Sequence, residues 1–372
     1  MENQYNPRQL IAAYYKFVHG REKADAIRYA IQQADLNNDI PYMIYFRQEF
    51  CHEAIWYADK IDIYTVFPEL LSLIDRYPDK RPASSRHSDI MEDILYIYGI
   101  VALDSSEYYQ IPLEECEKFL NDYKKRFIRA GHSASLPYRY MASFYTTTGD
   151  TANAARCFDN FMKCQPDNDR CPGCLTNSKI HYYLFNNMKE YADMFAAKIE
   201  DGTIRCNGGE NNSFSLLRLK VNYIKYYIIH GDYENAAACA DIIRHKDSLE
   251  KQFNVWHFIM CAYVYSNPGR GMRIYKKYWQ EWENERSPYD KFYSYMCAAC
   301  FFKVLDNQKD KDTVRINAGS SFPLYNGGNT YKISSLMEYY YKGAEEIAKK
   351  FDQRNRTSKF MDELKMAFAN AR

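Results

Sequence analysis

The sequence predicts an all-α protein, a right-handed α-solenoid of helix-turn-helix repeats. Three observations support this fold class. Apolar residues recur at the helical period along most of the chain, short polar turns separate the periodic segments, and small residues occur where two paired helices would approach closely. Because each unit of a solenoid packs only on its neighbours, a chain of 372 residues need not divide into separate globular domains.

The clearest helix-turn-helix unit spans residues 135–168. Ala142 and Ala154 allow two antiparallel helices to approach closely. Gly149 permits the turn between them, and Pro166 ends the second helix. The large apolar positions of this unit match the tetratricopeptide pattern, which has a period of about 34 residues. They are Tyr138, Met141, Tyr145, Phe158 and Phe161.

Three helix pairs precede this unit and are interpreted as degenerate repeats, because they match the template poorly. They are predicted at residues 7–18 with 22–35, 41–58 with 63–77, and 89–104 with 112–130. Three pairs follow it, at residues 176–186 with 189–200, 214–229 with 233–244, and 253–265 with 270–285. Their turns contain Asn186-Asn187, His230-Gly231-Asp232 and Asn267-Pro268-Gly269.

The C-terminal part is predicted to contain a last helix pair, residues 288–305 with 334–352. Between these helices, residues 306–333 are rich in Asn, Gly, Ser and Lys, and they predict the longest non-helical stretch of a chain in which strands are essentially absent. The amphipathic segment 358–370 is predicted to cap the open end of the stack. One continuous solenoid would thus have three parts, residues 1–130, 131–285 and 286–372.

Charge and composition exclude several classes of function. The 49 basic and 48 acidic side chains leave a net charge of +1, so the chain has no overall bias toward nucleic acid or anionic membranes. The longest apolar run, residues 94–103, is about half as long as a membrane span. The 11 cysteines are an odd number, which is typical of reduced proteins rather than disulfide frameworks. We therefore expect a cytoplasmic protein, and we disfavour nucleic acid as its partner.

Cysteines frame the unit that follows the clearest repeat. Cys171 and Cys174 form a Cys-x-x-Cys before its first helix, and Cys206 follows its second helix. Because the outer ends of an antiparallel helix pair lie on the same side, the three thiols should meet, with Cys164 as the fourth ligand of a structural zinc site. Reduced free thiols are an equally acceptable interpretation. A redox-active Cys-x-x-Cys is a third.

The first helices of the pairs offer a second candidate site. In the tetratricopeptide arrangement, one side of each first helix lines the concave surface of the solenoid. Basic and amide side chains beside aromatic rings on this surface suit a peptide, whose carboxylates need cations and whose backbone needs amide partners. For each residue alone, the alternative is a solvated surface position. The predicted partner-binding residues are Arg139, Asn177, His181, Arg218, Lys225, Trp256 and Tyr263.

Several short segments resemble a group of bacterial tetratricopeptide-repeat proteins. They are residues 123–131, the run 169–174 around the Cys-x-x-Cys, Gly202 with Cys206, and residues 351–355. This resemblance implies a soluble cytoplasmic helical-repeat protein and no particular reaction. The chain departs from the group at residues 207–210, where the group has an acidic residue and a proline, and at Arg356, where the group has glycine.

No catalytic motif accompanies these features. His52-Glu53 begins like a zincin motif, but no second histidine follows at the required spacing. A phosphate-binding loop and a nucleophile elbow are also absent from the sequence. The sequence therefore predicts a non-enzymatic scaffold or adaptor that binds a protein or peptide. The alternatives are a peptide-responsive regulator that changes the curvature of its solenoid, and an accessory subunit with a redox-active Cys-x-x-Cys.

Overall fold

A computed structural model describes residues 5–80, 90–167, 171–206, 213–243, 255–309 and 311–372. In these residues the protein is almost entirely helical, which confirms the predicted all-α class. The chain divides into two compact units, unit 1 with residues 1–105 and 117–130, and unit 2 with residues 106–116 and 131–372. No helix in the described part of the chain combines the length and the apolarity needed to cross a membrane.

Unit 1 is a set of helices that pack on their sequence neighbours. Its helices are α1 (Pro7–Tyr14), α2 (Arg21–Leu36), α3 (Ile40–Trp56), α4 (Ile63–Arg76), α5 (Ile90–Asp104) and most of α6 (Leu113–Arg129). Arg47, which is 5% exposed, connects three of them, because its guanidinium contacts Asp35 of α2 at 2.8 Å and Glu69 of α4 at 3.0 Å. A buried arginine needs such partners, since an unpaired buried charge is costly.

Unit 2 contains the clearest repeat and everything that follows it. Its helices are α7 (Ser135–Thr148), α8 (Thr151–Lys163), α9 (Pro172–Phe185), α10 (Lys189–Glu200), α11 (Ser213–His230), α12 (Tyr233–Ile243), α13 (Trp256–Ala262), α14 (Pro268–Glu283), α15 (Pro288–Gln308), α16 (Ile333–Asn355) and α17 (Lys359–Asn370). Successive helices pair, and the first helices α7, α9, α11 and α13 also contact one another in that order. We call the side that these first helices present to α17 the inner face.

The turns of unit 2 follow the chemistry expected from the sequence. Gly149 and Gly231 have φ values of +88° and +77°, in the left-handed region that glycine tolerates best. The Asp150 side chain then accepts a hydrogen bond from the backbone N–H of Asn153 and caps the start of α8. The predicted helix pairs are confirmed, with boundaries that differ by a few residues.

Three helices depart further from the prediction. Helix α1 ends at Tyr14 instead of residue 18. Helix α9 begins at Pro172 instead of residue 176, because Pro172 suits a first helical position and Cys171 caps the helix start. Helix α13 ends at Ala262 instead of residue 265. Residues 81–89, 207–212 and 244–254, on which several predicted loops and helix ends fall, lie outside the described residues.

The segment between α15 and α16 is more ordered than a plain loop. It has no helix in its described residues, as predicted, but it contains two short antiparallel strands, β1 (Thr313–Arg315) and β2 (Thr330–Lys332). This short pair contains all the strand in the described residues, which agrees with the prediction that strands are essentially absent. Phe322 and Tyr331 are buried here, and the Phe322 ring packs edge-on against Trp279 with centroids 4.9 Å apart. These aromatic anchors outweigh the polar composition of the segment.

Helix α17 does not simply cap the end of the stack, as the sequence suggested. It packs on α15 and α16, the last pair, but also along α11. The side chain of Thr357, just before α17, donates a hydrogen bond to the Thr148 carbonyl at the end of α7. The difference has a physical reason, because α17 carries an apolar stripe that is removed from water when the helix lies along α11.

We predict that Gly271 is needed for the packing of three helices. A Cβ atom at this position of α14 would lie 2.5 Å from the Phe301 ring of α15 and 2.9 Å from the Met260 carbonyl oxygen of α13. Gly271→Ala should therefore destabilise the protein by about 1–3 kcal/mol, although alanine favours helix by about 1 kcal/mol. The measurement is urea unfolding followed by circular dichroism.

Gly269→Ala in the same helix is the matched control. The nearest atom to its added Cβ would be the Asn267 side chain, 3.9 Å away. This variant should stay within about 0.5 kcal/mol of the parent protein. Equal unfolding midpoints for the two variants would mean that α13 and α15 can move away from α14 at little cost.

Candidate functional site

The structure brings three of the four predicted thiols together. The sulfur atoms of Cys171, Cys174 and Cys206 all lie within 4.8 Å of one another, and the Cys171 and Cys206 sulfurs are 3.3 Å apart. Such a group could hold a metal ion. Cys164 is not among the close ligand atoms, because its helix α8 ends before the chain reaches the cluster. We call the three residues the thiol cluster.

The local backbone explains why the thiol cluster forms. Cys171 caps α9, and its sulfur accepts a hydrogen bond from the Cys174 backbone N–H at 3.4 Å. After α10, the chain turns through Gly202, which has a φ of +77°. A Cβ atom on Gly173 would lie 3.1 Å from the Cys206 backbone nitrogen and 2.2 Å from the Ser215 hydroxyl. Gly173 therefore permits the segment after α10 to pass directly over the start of α9.

The ionisation of the Cys174 thiol depends on its burial and on its charged neighbours. Burial, followed by the charge of the neighbouring Cys171, raises the pKa of Cys174 to about 12, and the Arg218 cation opposes this effect. A Cys174 thiol that resists ionisation is a poor nucleophile. A bound metal ion reverses this situation, because its charge deprotonates the thiols that coordinate it. The three sulfurs supply three positions of a tetrahedral site, one fewer than a closed structural site needs.

The predicted partner-binding residues do not form one open row. Arg218 is exposed, and Arg139, His181 and Trp256 are half-buried. Asn177 is 3% exposed, and its side-chain amide donates to the carbonyls of Gly173 and Ser215 at 3.1 Å each. Asn177 thus joins α9 to α11 beside the thiol cluster, and this role leaves it no surface for a partner.

Two further residues of this set are also internal. Tyr263 is 2% exposed, and its hydroxyl donates to Asp241 at 2.8 Å. Lys225 is 8% exposed. The expectation that Lys225 lies on the solvated side of its helix is wrong, because α17 and α15 cover that side.

Lys225 lies in a polar cluster inside unit 2. Its ammonium group donates to the Tyr289 hydroxyl at 3.1 Å and lies 3.8 Å from the centroid of the Tyr293 ring. The Tyr293 hydroxyl donates to a carboxylate oxygen of Glu363 at 2.6 Å, and the Lys359 ammonium contacts the other oxygen at 2.8 Å. Lys225, Lys359 and Glu363 therefore form a buried charge network in which α17 supplies the carboxylate.

The network shifts the pKa of each partner in a consistent way. Burial lowers the pKa of Lys225 to about 8, and the charge of Glu363 opposes this effect. Burial raises the pKa of Glu363, but the charges of Lys359 and Lys225 outweigh burial and hold that pKa at about 2. Glu363 is thus ionised at neutral pH and compensates the buried Lys225 cation.

The turns of the first helices receive the two ends of α17. A Cβ atom on Gly149 would lie 2.8 Å from Cβ of Lys359, and one on Gly231 would lie 2.8 Å from Cβ of Asn370. The Asn370 side chain donates to the Ile229 carbonyl at 3.1 Å. The two glycines therefore permit both the turns and the close approach of α17.

Sequence reasoning missed the residues with which α17 binds the inner face. One signal was available: Glu363 interrupts the apolar stripe formed by Phe360, Leu364 and Ala367, so that a carboxylate lies on the buried side of the helix. Comparison with protein-family models and with curated proteins finds no match. The resemblance to tetratricopeptide-repeat proteins therefore stays a prediction from the residues.

We predict that Cys174→Ser reduces metal binding and that Cys164→Ser does not. Of these two residues, Cys174 belongs to the thiol cluster and Cys164 does not, so only Cys174→Ser removes a ligand. The measurement is the metal content of protein purified without chelators, together with thermal melting, since metal binding adds to folding stability. Well under one metal ion per chain in the parent protein would show that the cluster consists of free thiols. An equal loss of metal in both variants would show that Cys164 is also a ligand.

We predict that His257 makes the protein sensitive to acid. It is 1% exposed, neither ring nitrogen has a hydrogen-bond partner in the described residues, and burial, followed by the charge of Lys225, lowers its pKa to about 3. The unfolded chain binds this proton below about pH 6.5. The stability that His257 contributes is therefore present above pH 6.5 and is lost as the pH falls toward 3, at about 1.4 kcal/mol per pH unit.

The test compares His257→Phe with the exposed control His230→Gln. Between pH 6.5 and 4.5, the free energy of unfolding should fall less steeply for His257→Phe than for the parent protein. The difference in slope should be about 1.4 kcal/mol per pH unit, which corresponds to one proton. His230→Gln should keep the parent slope. Parallel curves for all three proteins would show that His257 is protonated in the folded state.

Proposed function

We propose that this chain is a non-enzymatic scaffold that binds a protein or peptide on its inner face. One observation carries the proposal. The inner face already packs a helical segment of the same chain, because α17 lies on α11 and the Lys359 ammonium lies over the Phe185 ring of α9. A surface that packs an amphipathic helix through an apolar stripe and a carboxylate has the properties that peptide recognition requires.

We further propose a right-handed solenoid of tetratricopeptide type for the helix pairs of unit 2. The side-by-side contacts of α7, α9, α11 and α13 support this arrangement, because repeat proteins stack equivalent helices of consecutive units. The eleven cysteines are all free thiols, which suits the proposed location in a reducing cytoplasm.

For the thiol cluster we propose a structural zinc ion. Three cysteine sulfurs within 4.8 Å support this assignment, since zinc in proteins prefers thiolate ligands in a tetrahedral arrangement. Water would take the fourth position. Zinc here would connect the start of α9 to the segment after α10, and it would therefore fix the two ends of one helix pair.

The proposed scaffold function predicts that Arg218→Glu weakens capture of the native partner. Arg218 is the one exposed residue of the predicted set, and all seven members lie in the described part of the chain. If its cation pairs with a partner carboxylate, charge reversal should reduce capture from the native host at least about tenfold, or about 1.4 kcal/mol. The measurement is quantitative affinity capture with mass spectrometry.

Arg273→Glu is the matched control, because it makes the same charge change at an exposed position of the second helix α14. Both variants should remain folded by circular dichroism, and capture is compared at equal amounts of folded protein. Equal capture by the parent protein and both folded variants would place the partner surface away from Arg218. Loss of capture with Arg273→Glu alone would place it on the second helices.

A further inference from the structure

We propose that the inner face binds an amphipathic helix with a carboxylate on its apolar side, and that α17 is the intramolecular competitor of that partner. This inference rests on the proposed scaffold function and specifies its ligand. Three features of the described residues carry it: the pattern of α17, the chemistry of the surface beneath it, and the polar contacts at its two ends.

The buried side of α17 defines the recognition pattern. Phe360, Leu364 and Ala367 are completely buried, and Glu363, between the first two, is 9% exposed. These four residues occupy positions i, i+3, i+4 and i+7, which form one side of a helix. A partner that fits the same surface should therefore present an aromatic residue, a carboxylate, a leucine-like residue and a small residue at this spacing.

The surface beneath α17 requires the carboxylate. Lys225 belongs to α11, is buried, and has tyrosine hydroxyls and rings as its neighbours. Phenol groups can solvate an ammonium group but cannot neutralise it. Of the carboxylates whose charge acts on Lys225, Glu363 has the larger effect and Asp290 of α15 the smaller. Glu363 reaches Lys225 through the Tyr293 hydroxyl. An apolar helix without a carboxylate would leave Lys225 with only the weaker influence of Asp290.

The charged contacts of α17 contribute specificity rather than strength, because buried charge networks add little net stability compared with apolar packing. Toward the first helices, the start of α17 is joined by the hydrogen bond from Thr357 to the Thr148 carbonyl. Its end is joined by the bonds from Asn370 to the Ile229 carbonyl and from the Arg372 backbone N–H to the Tyr265 hydroxyl. The connection from α16 to α17 is a short turn through Arg356, which has a φ of +59°. Such a short connection gives α17 a high effective concentration, so a free helix must compete with it.

The test uses a fluorescent synthetic peptide with the sequence of residues 357–372 and the full-length protein. Phe360→Ala/Leu364→Ala in the protein should weaken its own α17 and leave the receiving helices intact. We expect this variant to bind the peptide at least tenfold more tightly than the parent protein, measured by fluorescence anisotropy. A peptide carrying Glu363→Gln should bind the same variant at least tenfold more weakly than the natural peptide.

Two outcomes would overturn the proposal. A folded Phe360→Ala/Leu364→Ala protein that binds the peptide no better than the parent would show that α17 is a permanent core element. Equal binding of the natural and Glu363→Gln peptides would show that the surface does not select a carboxylate. Circular dichroism and thermal melting of the variant establish that it is folded.

If the double variant does not fold, hydrogen exchange of the parent protein decides the question. The proposal requires that the amides of α17 exchange faster than those of α11, through a local opening that leaves unit 2 folded. Exchange of both helices in a single global step would overturn it.

The peptide experiment uses a defined synthetic probe, so its result does not depend on capture of the native partner. Capture that depends on Arg218, together with a peptide that does not bind, would preserve the scaffold function and remove only the competing helix.

Discussion

A buried cation organises the centre of unit 2. Lys225 is 8% exposed, so its charge is costly to bury unless neighbouring groups compensate it. The protein meets this constraint with the Tyr289 hydroxyl, the Tyr293 ring and, through that tyrosine, the carboxylate of Glu363. These groups come from α15 and α17, so that three helices must take fixed relative positions for one charge to be satisfied.

The thiol cluster and the inner face share the same helices. Asn177 lies on α9 just after Cys174 and binds the carbonyls of Gly173 and Ser215, which joins the starts of α9 and α11. Lys225 lies further along α11. A change in the separation of α9 and α11 at the thiol cluster would therefore be transmitted along rigid helices to the surface that α17 covers. The thiol cluster fixes one end of the contact between α9 and α11, and the buried charge network fixes the other end.

The helices and the thiol cluster could be predicted because their signals are local. Turn residues such as Gly149 mark the helix ends, and the antiparallel geometry of one helix pair brings Cys171 and Cys206 to the same place. The burial of Lys225 could not be predicted in this way. It depends on α17, which is distant in the sequence, and the solenoid template assigns that position to solvent. The strands β1 and β2 were missed because Asn and Gly dominate their segment and conceal its aromatic anchors.

Arg218 connects the chemistry of the two sites. Its charge lowers the pKa of Cys174, so the guanidinium stabilises negative charge in the thiol cluster. Three thiolates around a divalent ion would carry a net charge of −1, and this charge would in turn attract Arg218. A partner carboxylate that pairs with Arg218 must then compete with the loaded cluster for the same cation. By linkage, any change that metal binding makes in the affinity for such a partner equals the change that the partner makes in the affinity for metal.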